Sequence, residues 1–260
     1  MSEEDDVEFL GIGGSRTGQA VKDVRSALEQ AEGGPKDEGV LGNQATRLVQ
    51  NILDLGIDGK GFFHSATRVA DHALATHADP EAAVDAIVRQ HMRLGAASGF
   101  VTSVGGFITL PVALPANVLG FYLIATRMTA AIAKVRGYDI RQEEIRTAVL
   151  LTLVGADADD LLKKAGMASP GGTLSNLAAQ RLPGPAMMVI QKGVGFRLLA
   201  TAGKNMFVRL GRIVPVVGGV IGAGLDGFMQ HRVANSAKRE FPTARPAVAA
   251  GSGVPQVAPS

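Results

Sequence analysis

One short loop concentrates what chemistry this chain offers. Gly56-Ile-Asp-Gly-Lys-Gly61 sets Asp58 among three glycines between two helical patterns, and His64 follows shortly after. A carboxylate and an imidazole this close can share a proton, polarise water or hold a small polar ligand, the usual parts of general acid–base work. The same residues fit an Asx turn, in which the Asp side chain bonds its own backbone two residues on. Asp226 is the second candidate. It continues a ridge of small residues, Gly218 and Gly222, and an acid on such a face is costly unless it is paired. A base such as Arg127 or Arg146 would satisfy it, and so would a ligand or a proton. With Asn117, inside an uncharged stretch, these residues form a candidate polar site: Asp58, His64, Asn117 and Asp226. Its function would be soluble small-molecule binding or hydrolysis.

Other reactive groupings are weaker. His64, His72, His77 and His91 could converge on a metal only through the tertiary fold, because His72 and His77 are five apart and do not share a helical face. Asp157, Asp159 and Asp160 read more simply as a charged helix start. The chain has no cysteine, which excludes thiolate catalysis, iron–sulfur clusters and cysteine-ligated zinc. It contains no His-Glu-x-x-His, no Gly-x-Ser-x-Gly and no phosphate-binding loop; Gly203-Lys204 lacks the upstream glycine and the following Ser or Thr. Gly11-Ile-Gly-Gly-Ser-Arg16 follows no strand and lacks the third glycine of a dinucleotide loop. No catalytic residue, cofactor or metal is assigned, and enzymatic activity stays open.

The elements that would position these groups are helical. Hydrophobic residues make up 46 % of 260 positions, with 33 glycines and no tryptophan, and only 19 % of the chain is charged, against about 25 % in typical domains. Asn43 can cap a helix whose apolar positions are Ala45, Leu48, Val49 and Ile52. A second helix is predicted from about Phe62 to His77, burying Phe63, Ala66, Val69, Ala70, Ala73 and Leu74. Asp79-Pro80-Glu81 supplies a cap, a first-turn proline and a dipole-matched acid, ahead of an inner face of Val84, Ile87, Val88 and His91. Asp139 with Gln142 forms a variant capping box for a helix closed by Gly155. Asp157 caps another that ends at Gly166, and Pro215 opens one that runs to Lys238 and Arg239. A short helix from Gly18 to Gln30 is also plausible on pattern. No stretch alternates at period two, so the fold class is all-α. Residues 1–40 read as an acidic, mostly flexible arm, 41–241 as a compact helical domain and 242–260 as a disordered Pro/Ala tail.

Residues 94–126 carry no Asp, Glu, Lys, Arg or His, a run of 33 without charge. About 20 apolar residues cross a bilayer as one helix, but Pro111 and Pro115 interrupt this run. A helical hairpin is predicted, with arms near 94–109 and 116–135 and a break at 110–115. Such arms suit a re-entrant wedge or a buried hairpin better than a crossing. The absence of tryptophan and the presence of only two tyrosines leave almost no interfacial aromatic belt.

Near the C-terminus, Gly218 with Gly222 and Gly219 with Ala223 and Gly227 form two smooth ridges, a glycine zipper that lets another backbone approach closely. Gly99, Gly105 and Gly106 on the hairpin are its expected partners. The zipper could equally join copies of the chain into a homo-oligomer. Residues 1–10 hold five acids and no base, leaving +7 for the remainder of a chain whose total is +2. Eight Lys/Arg against two acids lie between Met187 and Glu240. Lys192, Arg197, Lys204, Arg209 and Arg212 would suit an anionic surface. No nucleic-acid motif accompanies them. The acidic start lacks the basic-then-apolar pattern of a secretory signal, so a cytoplasmic address at the inner membrane face is expected.

Residues 56–66, residues 97–116, Arg127-Met-Thr-Ala-Ala-Ile-Ala133, Gly137-Tyr-Asp139 and Val214–Asp226 together resemble the bacterial EcsC family over about residues 40–241. An acid often precedes the second Leu-Pro in that family; Ala113 stands there in this chain. The family is named for a gene beside those of an ABC transporter, and its own activity is not established. The resemblance therefore implies a membrane-linked or transport-linked accessory protein and supplies no catalytic residues. A second stretch, Phe9-Leu-Gly-Ile-Gly-Gly-Ser-Arg16, is similar to encapsulin cargo-loading peptides, with one extra glycine and one leucine missing. It implies docking to an encapsulin shell through Leu10, Gly11, Ile12 and Gly13.

Overall fold

The computed structural model describes residues 38–59, 64–104, 110–167, 172–180, 182–210 and 215–243, with side chains described except at 38–41, 44, 96–118 and 201–226. Among the described residues there are eight α-helices and no strand. They are α1 (Glu38–Leu53), α2 (Ala66–Thr76), α3 (Pro80–Val104), α4 (Leu110–Val135), α5 (Glu143–Val154), α6 (Ala158–Lys164), α7 (Gly184–Leu210) and α8 (Pro215–Glu240). A π-helical turn at Asp54–Asp58 prolongs α1, and 3-10 turns occupy Gly155–Asp157 and Leu174–Ala179. The all-α expectation holds.

Local signals account for several boundaries. Asp79 Oδ2 accepts from the Ala82 amide at 3.0 Å, and α3 begins at Pro80 with Glu81 in its first turn. That cap satisfies an amide which the helix itself cannot. Ser65 does the same for α2, accepting from the Arg68 amide at 3.2 Å. Gly155 ends α5 at φ +58°, a conformation that costs a side-chain-bearing residue 1–2 kcal/mol or so. Pro215 opens α8 as expected.

Other boundaries differ from the sequence reading. α1 starts at Glu38, and Asn43 is an exposed interior residue. The helix extends back because α7 packs on that turn: a Cβ at Gly42 would meet Lys192 Cε at 2.5 Å. The second helix starts at Ala66, behind the extended Ser65 cap, and not at about Phe62; the burial of Phe63 lies outside the described residues. Leu74, expected inside, is 40 % exposed. Asp139 makes no capping box; its Oδ1 accepts from the amide and Nε of Arg141, both at 3.1 Å, in a local turn. Asp157 makes no side-chain cap because the 3-10 turn feeds α6 without leaving helical geometry. The break expected at 110–115 is absent, since α4 begins at Leu110. Pro111 falls in the first turn, where amides have no intrahelical partner, and Pro115 forfeits a single bond.

Three long helices, α3, α4 and α8, pack as one layer. α4 returns antiparallel to α3, with Arg136 meeting Glu81 near one end and Arg127 meeting His91 further along. α8 is also antiparallel to α3: Lys238 Nζ bonds Asp85 at 2.6 Å, and Gln230 lies against Gly95. Between them Ile87, Ile124, Met128 and Ile132 are fully buried, each contributing roughly 1.5–3 kcal/mol by apolar transfer. α2 and α5 pack beside this layer, and α7 packs on α1 and α6.

The crossing of α1 and α7 needs a glycine that the sequence reading passed over. A Cβ at Gly195 would run into the backbone of Ala45, whereas at Gly227 it would meet nothing within 4 Å. Gly227 was expected to be a close-packing position, and that expectation is corrected: it lies half-buried with open space before it. Gly195→Ala is therefore expected to lower stability by about 1–3 kcal/mol through overpacking against backbone that cannot yield. Gly227→Ala should raise it by about 0.5–1 kcal/mol through helix propensity. Urea titration of the two variants checks both signs; equal effects would refute the assigned contacts.

Candidate functional site

Asp58 terminates the π-helical turn, and Gly59 at φ +67° turns the chain away behind it. The turn lies close on α4, since a Cβ at Gly56 would come within 3.0 Å of Thr126. Asp58 does not stand open. Both of its oxygens accept from Arg146 of α5, at 2.8 and 2.9 Å, a fork-to-fork pair. Arg146 is mostly buried, at 12 % side-chain exposure against 44 % for Asp58. Hydrogen bonding to Asp58 holds the guanidinium above its ordinary range, against the opposing effect of burial. The carboxylate thus serves as the anchor of a buried cation, which ties the end of α1 to α5.

His64 is half-buried just ahead of α2. The side chains of Asn117 and Asp226 lie outside the described residues, so the four-residue polar site is represented by Asp58 and His64 alone. Of the two bases offered to Asp226, Arg146 is engaged by Asp58 and Arg127 bonds His91. A double-mutant cycle on Asp58→Asn and Arg146→Gln should return a coupling of about 1–2 kcal/mol, above the value for an exposed pair because the geometry is bidentate. A coupling near zero would show the pair to be incidental.

The most deeply buried polar groups form a second cluster. His91 of α3, fully buried, lies between two partners: its Nδ1 is 2.8 Å from the Ile87 carbonyl and its Nε2 is 3.1 Å from Arg127 Nε. The guanidinium N–H can only donate, so Nε2 is the acceptor and the proton resides on Nδ1, donated to Ile87. Burial, reinforced by the Arg127 charge, pushes the imidazole down to about 3. Gln230 of α8, also fully buried, donates from Nε2 to the Phe121 carbonyl at 3.3 Å. Thr126 Oγ1 and Gln230 Oε1 are buried without a hydrogen-bond partner among the described residues. This polar layer holds the register of α3, α4 and α8, because a one-turn slip would strand each group in apolar surroundings. Only His91 was foreseen on an inner face. Arg127 bonds a partner 36 residues away and Gln230 one 109 residues away, so no local signal joined them.

The surface candidates divide likewise. Lys192 is exposed, with its ammonium 5.9 Å from the Phe196 ring centroid. Arg197 faces Asp157 and Asp160 at 3.6 and 3.9 Å, so its charge is offset locally. Lys204, Arg209 and Arg212 lie outside the described side chains, as do Gly99, Gly105, Gly106, Gly218, Gly219 and Gly222. Leu10, Gly11, Ile12 and Gly13 are outside the described residues altogether, as is the Gly18–Gln30 segment. Among the described residues no group of three or more His, Asp or Glu could hold a metal ion. No described helix is long and apolar enough to cross a membrane.

No curated protein and no solved structure matches the chain. The model of the EcsC protein family matches residues 41–243. That span takes in the polar layer, the Asp58–Arg146 pair, α2 to α8 entire and all but the first residues of α1. On that match the chain belongs to the EcsC family.

Proposed function

We propose that this EcsC protein is a membrane-associated accessory protein whose uncharged helical end enters one leaflet of a bilayer. It would act at the inner face of the cell membrane, on the lipid itself or on a transport or secretion complex. One observation carries the reading: two antiparallel helices, α3 and α4, carry the uncharged run 94–126 and meet at one end of the molecule. Leu94, Leu119 and the residues from Tyr122 to Thr126 are buried in the protein core. Residues 96–104 and 110–118 are the adjoining ends of α3 and α4, joined through 105–109. Each of those ends spans about 14 Å at 1.5 Å per residue. Half of a 30 Å or so hydrocarbon core is matched by that length, and a full crossing is not. The antiparallel pairing of α8 with α3 brings the N-terminal half of α8, with its glycines, to the same end. Close packing of the zipper on α3 would then be intramolecular, which favours this reading over an oligomer formed through the zipper.

Flotation with lipid vesicles tests the proposal. The full chain is expected to rise with anionic vesicles and to stay with them through an alkaline wash that strips purely electrostatic binders. Protein left at the bottom of the gradient, or released by the wash, would refute leaflet insertion.

A further inference from the structure

Acidic residues are missing from two long stretches, 86–138 and 161–225. The first holds α3 beyond Asp85 and all of α4; the second holds α7 and the start of α8. Chain order and the antiparallel pairing of α8 with α3 gather these helix ends on one side of the molecule. Arg93 on α3 and Arg232 on α8 stand just below that end. Each is two residues from the place where Gly95 meets Gln230, on the side away from the tip, so the two arginines share one level along the pair. Both are exposed, and neither has an ion pair among the described residues. Further from the tip, Lys134 of α4, Arg136 just beyond it and Lys238 of α8 each face an acid. One turn tipward of Arg232, on the same face of α8, Phe228 is 58 % exposed.

We propose that Arg93, Arg232 and Phe228 form a headgroup collar that seats the molecule on an anionic phospholipid surface. This deepens the membrane reading above and rests on it. The arginines lie at the level of the lipid phosphates, where bases gain most from negative charge, and Asp226 of α8 is the one acid in the sequence tipward of them on α3, α4 or α8. Phe228 stands about 6 Å deeper, four residues of helical rise, which matches the 5–10 Å or so by which interfacial apolar faces enter the headgroup–acyl boundary. The collar sets how far the uncharged end descends and makes binding depend on anionic lipid.

Flotation of the full chain with phosphatidylcholine vesicles, with and without phosphatidylglycerol, tests this against Arg93→Gln/Arg232→Gln. Each base near an anionic surface contributes about fivefold, so the double variant should lose up to about 30-fold in partitioning to anionic vesicles. Its thermal melt should be unchanged, as both side chains are exposed. Phe228→Trp places a single indole in a chain that has no tryptophan. Its emission should shift to the blue with anionic vesicles and be quenched by lipids brominated on the acyl chain. A double variant that floats as well as the parent, equal binding to neutral vesicles, or an indole that stays in water would overturn the collar while leaf insertion stands. A parent chain that floats with neither vesicle overturns both.

Discussion

Arg136→Met is expected to lower the stability of the helical domain by about 3–4 kcal/mol, read from the denaturant midpoint at unchanged slope. The Arg136 side chain is 8 % exposed and serves two elements at once. Nε and Nη2 bond Glu81 at 3.0 and 2.7 Å, while Nη1 bonds the carbonyls of Lys238 and Phe241 at 2.6 and 2.8 Å. Those carbonyls belong to the last turn of α8 and the residue after it, where no helical amide is left to satisfy them. A charged donor to a buried carbonyl contributes roughly 1.5–3 kcal/mol, and methionine keeps most of the volume while removing both. Glu81→Gln should cost only about 1 kcal/mol, because Glu81 is half-exposed and the carbonyl bonds survive it. Arg136→Lys should recover little, since one ammonium cannot reach a carboxylate and two carbonyls together. Equal losses in Arg136→Met and Glu81→Gln would mean that the carbonyl bonds contribute nothing.

This clamp shows what local sequence reading can and cannot reach. The start of α3 was legible because Asp79, Pro80 and Glu81 act on amides within the same turn. The inner stripe of α1 was legible because Ala45, Leu48, Val49 and Ile52 repeat at helical spacing and are all buried. α7 was not foreseen. Gly193 and Gly195 weaken its helical pattern, yet Gly195 is there because Ala45, from a distant part of the chain, occupies the space of its side chain. The prolines misled for a related reason. Read as breakers, they placed a turn at 110–115, but Pro111 falls in the first turn, where amides lack partners anyway, and Pro115 costs α4 a single bond.

The candidate site was less legible than the fold. Asp58 stood out in the sequence as an Asx-turn or polar-site residue, but its partner lies 88 residues away, and no periodicity links the two. Once Arg146 is placed, both carboxylate oxygens are occupied, and the residue reads as an anchor of the fold. Family membership adds nothing to the site: the match spans residues 41–243 and assigns no catalytic residue.

Acidification is expected to destabilise the folded chain through His91, the largest pH effect that the structure predicts. The imidazole titrates at about 3 in the fold, lowered by burial and then by Arg127, against about 6.5 in the unfolded chain. The unfolded state therefore takes up the proton first. Stability from this residue is complete above pH 6.5 or so and is lost as pH falls toward 3, by about 2 kcal/mol at pH 5 and about 3 kcal/mol at pH 4. The figure at pH 5 is set almost wholly by the unfolded value, because the folded imidazole is still neutral there. His91→Gln should remove this component: the stability gap between parent and variant should narrow by about 2 kcal/mol between pH 7.5 and pH 5, in urea titrations at matched ionic strength. Other titrating groups contribute alike to both proteins and cancel. The geometry explains why no easier route exists. Nδ1 already gives its proton to Ile87, so a second proton must sit on Nε2, 3.1 Å from a guanidinium nitrogen in a layer without water access. Parallel pH curves for the two proteins would show that Arg127 swings aside to admit the proton, and that the polar layer does not hold α3 against α4 as rigidly as its burial implies.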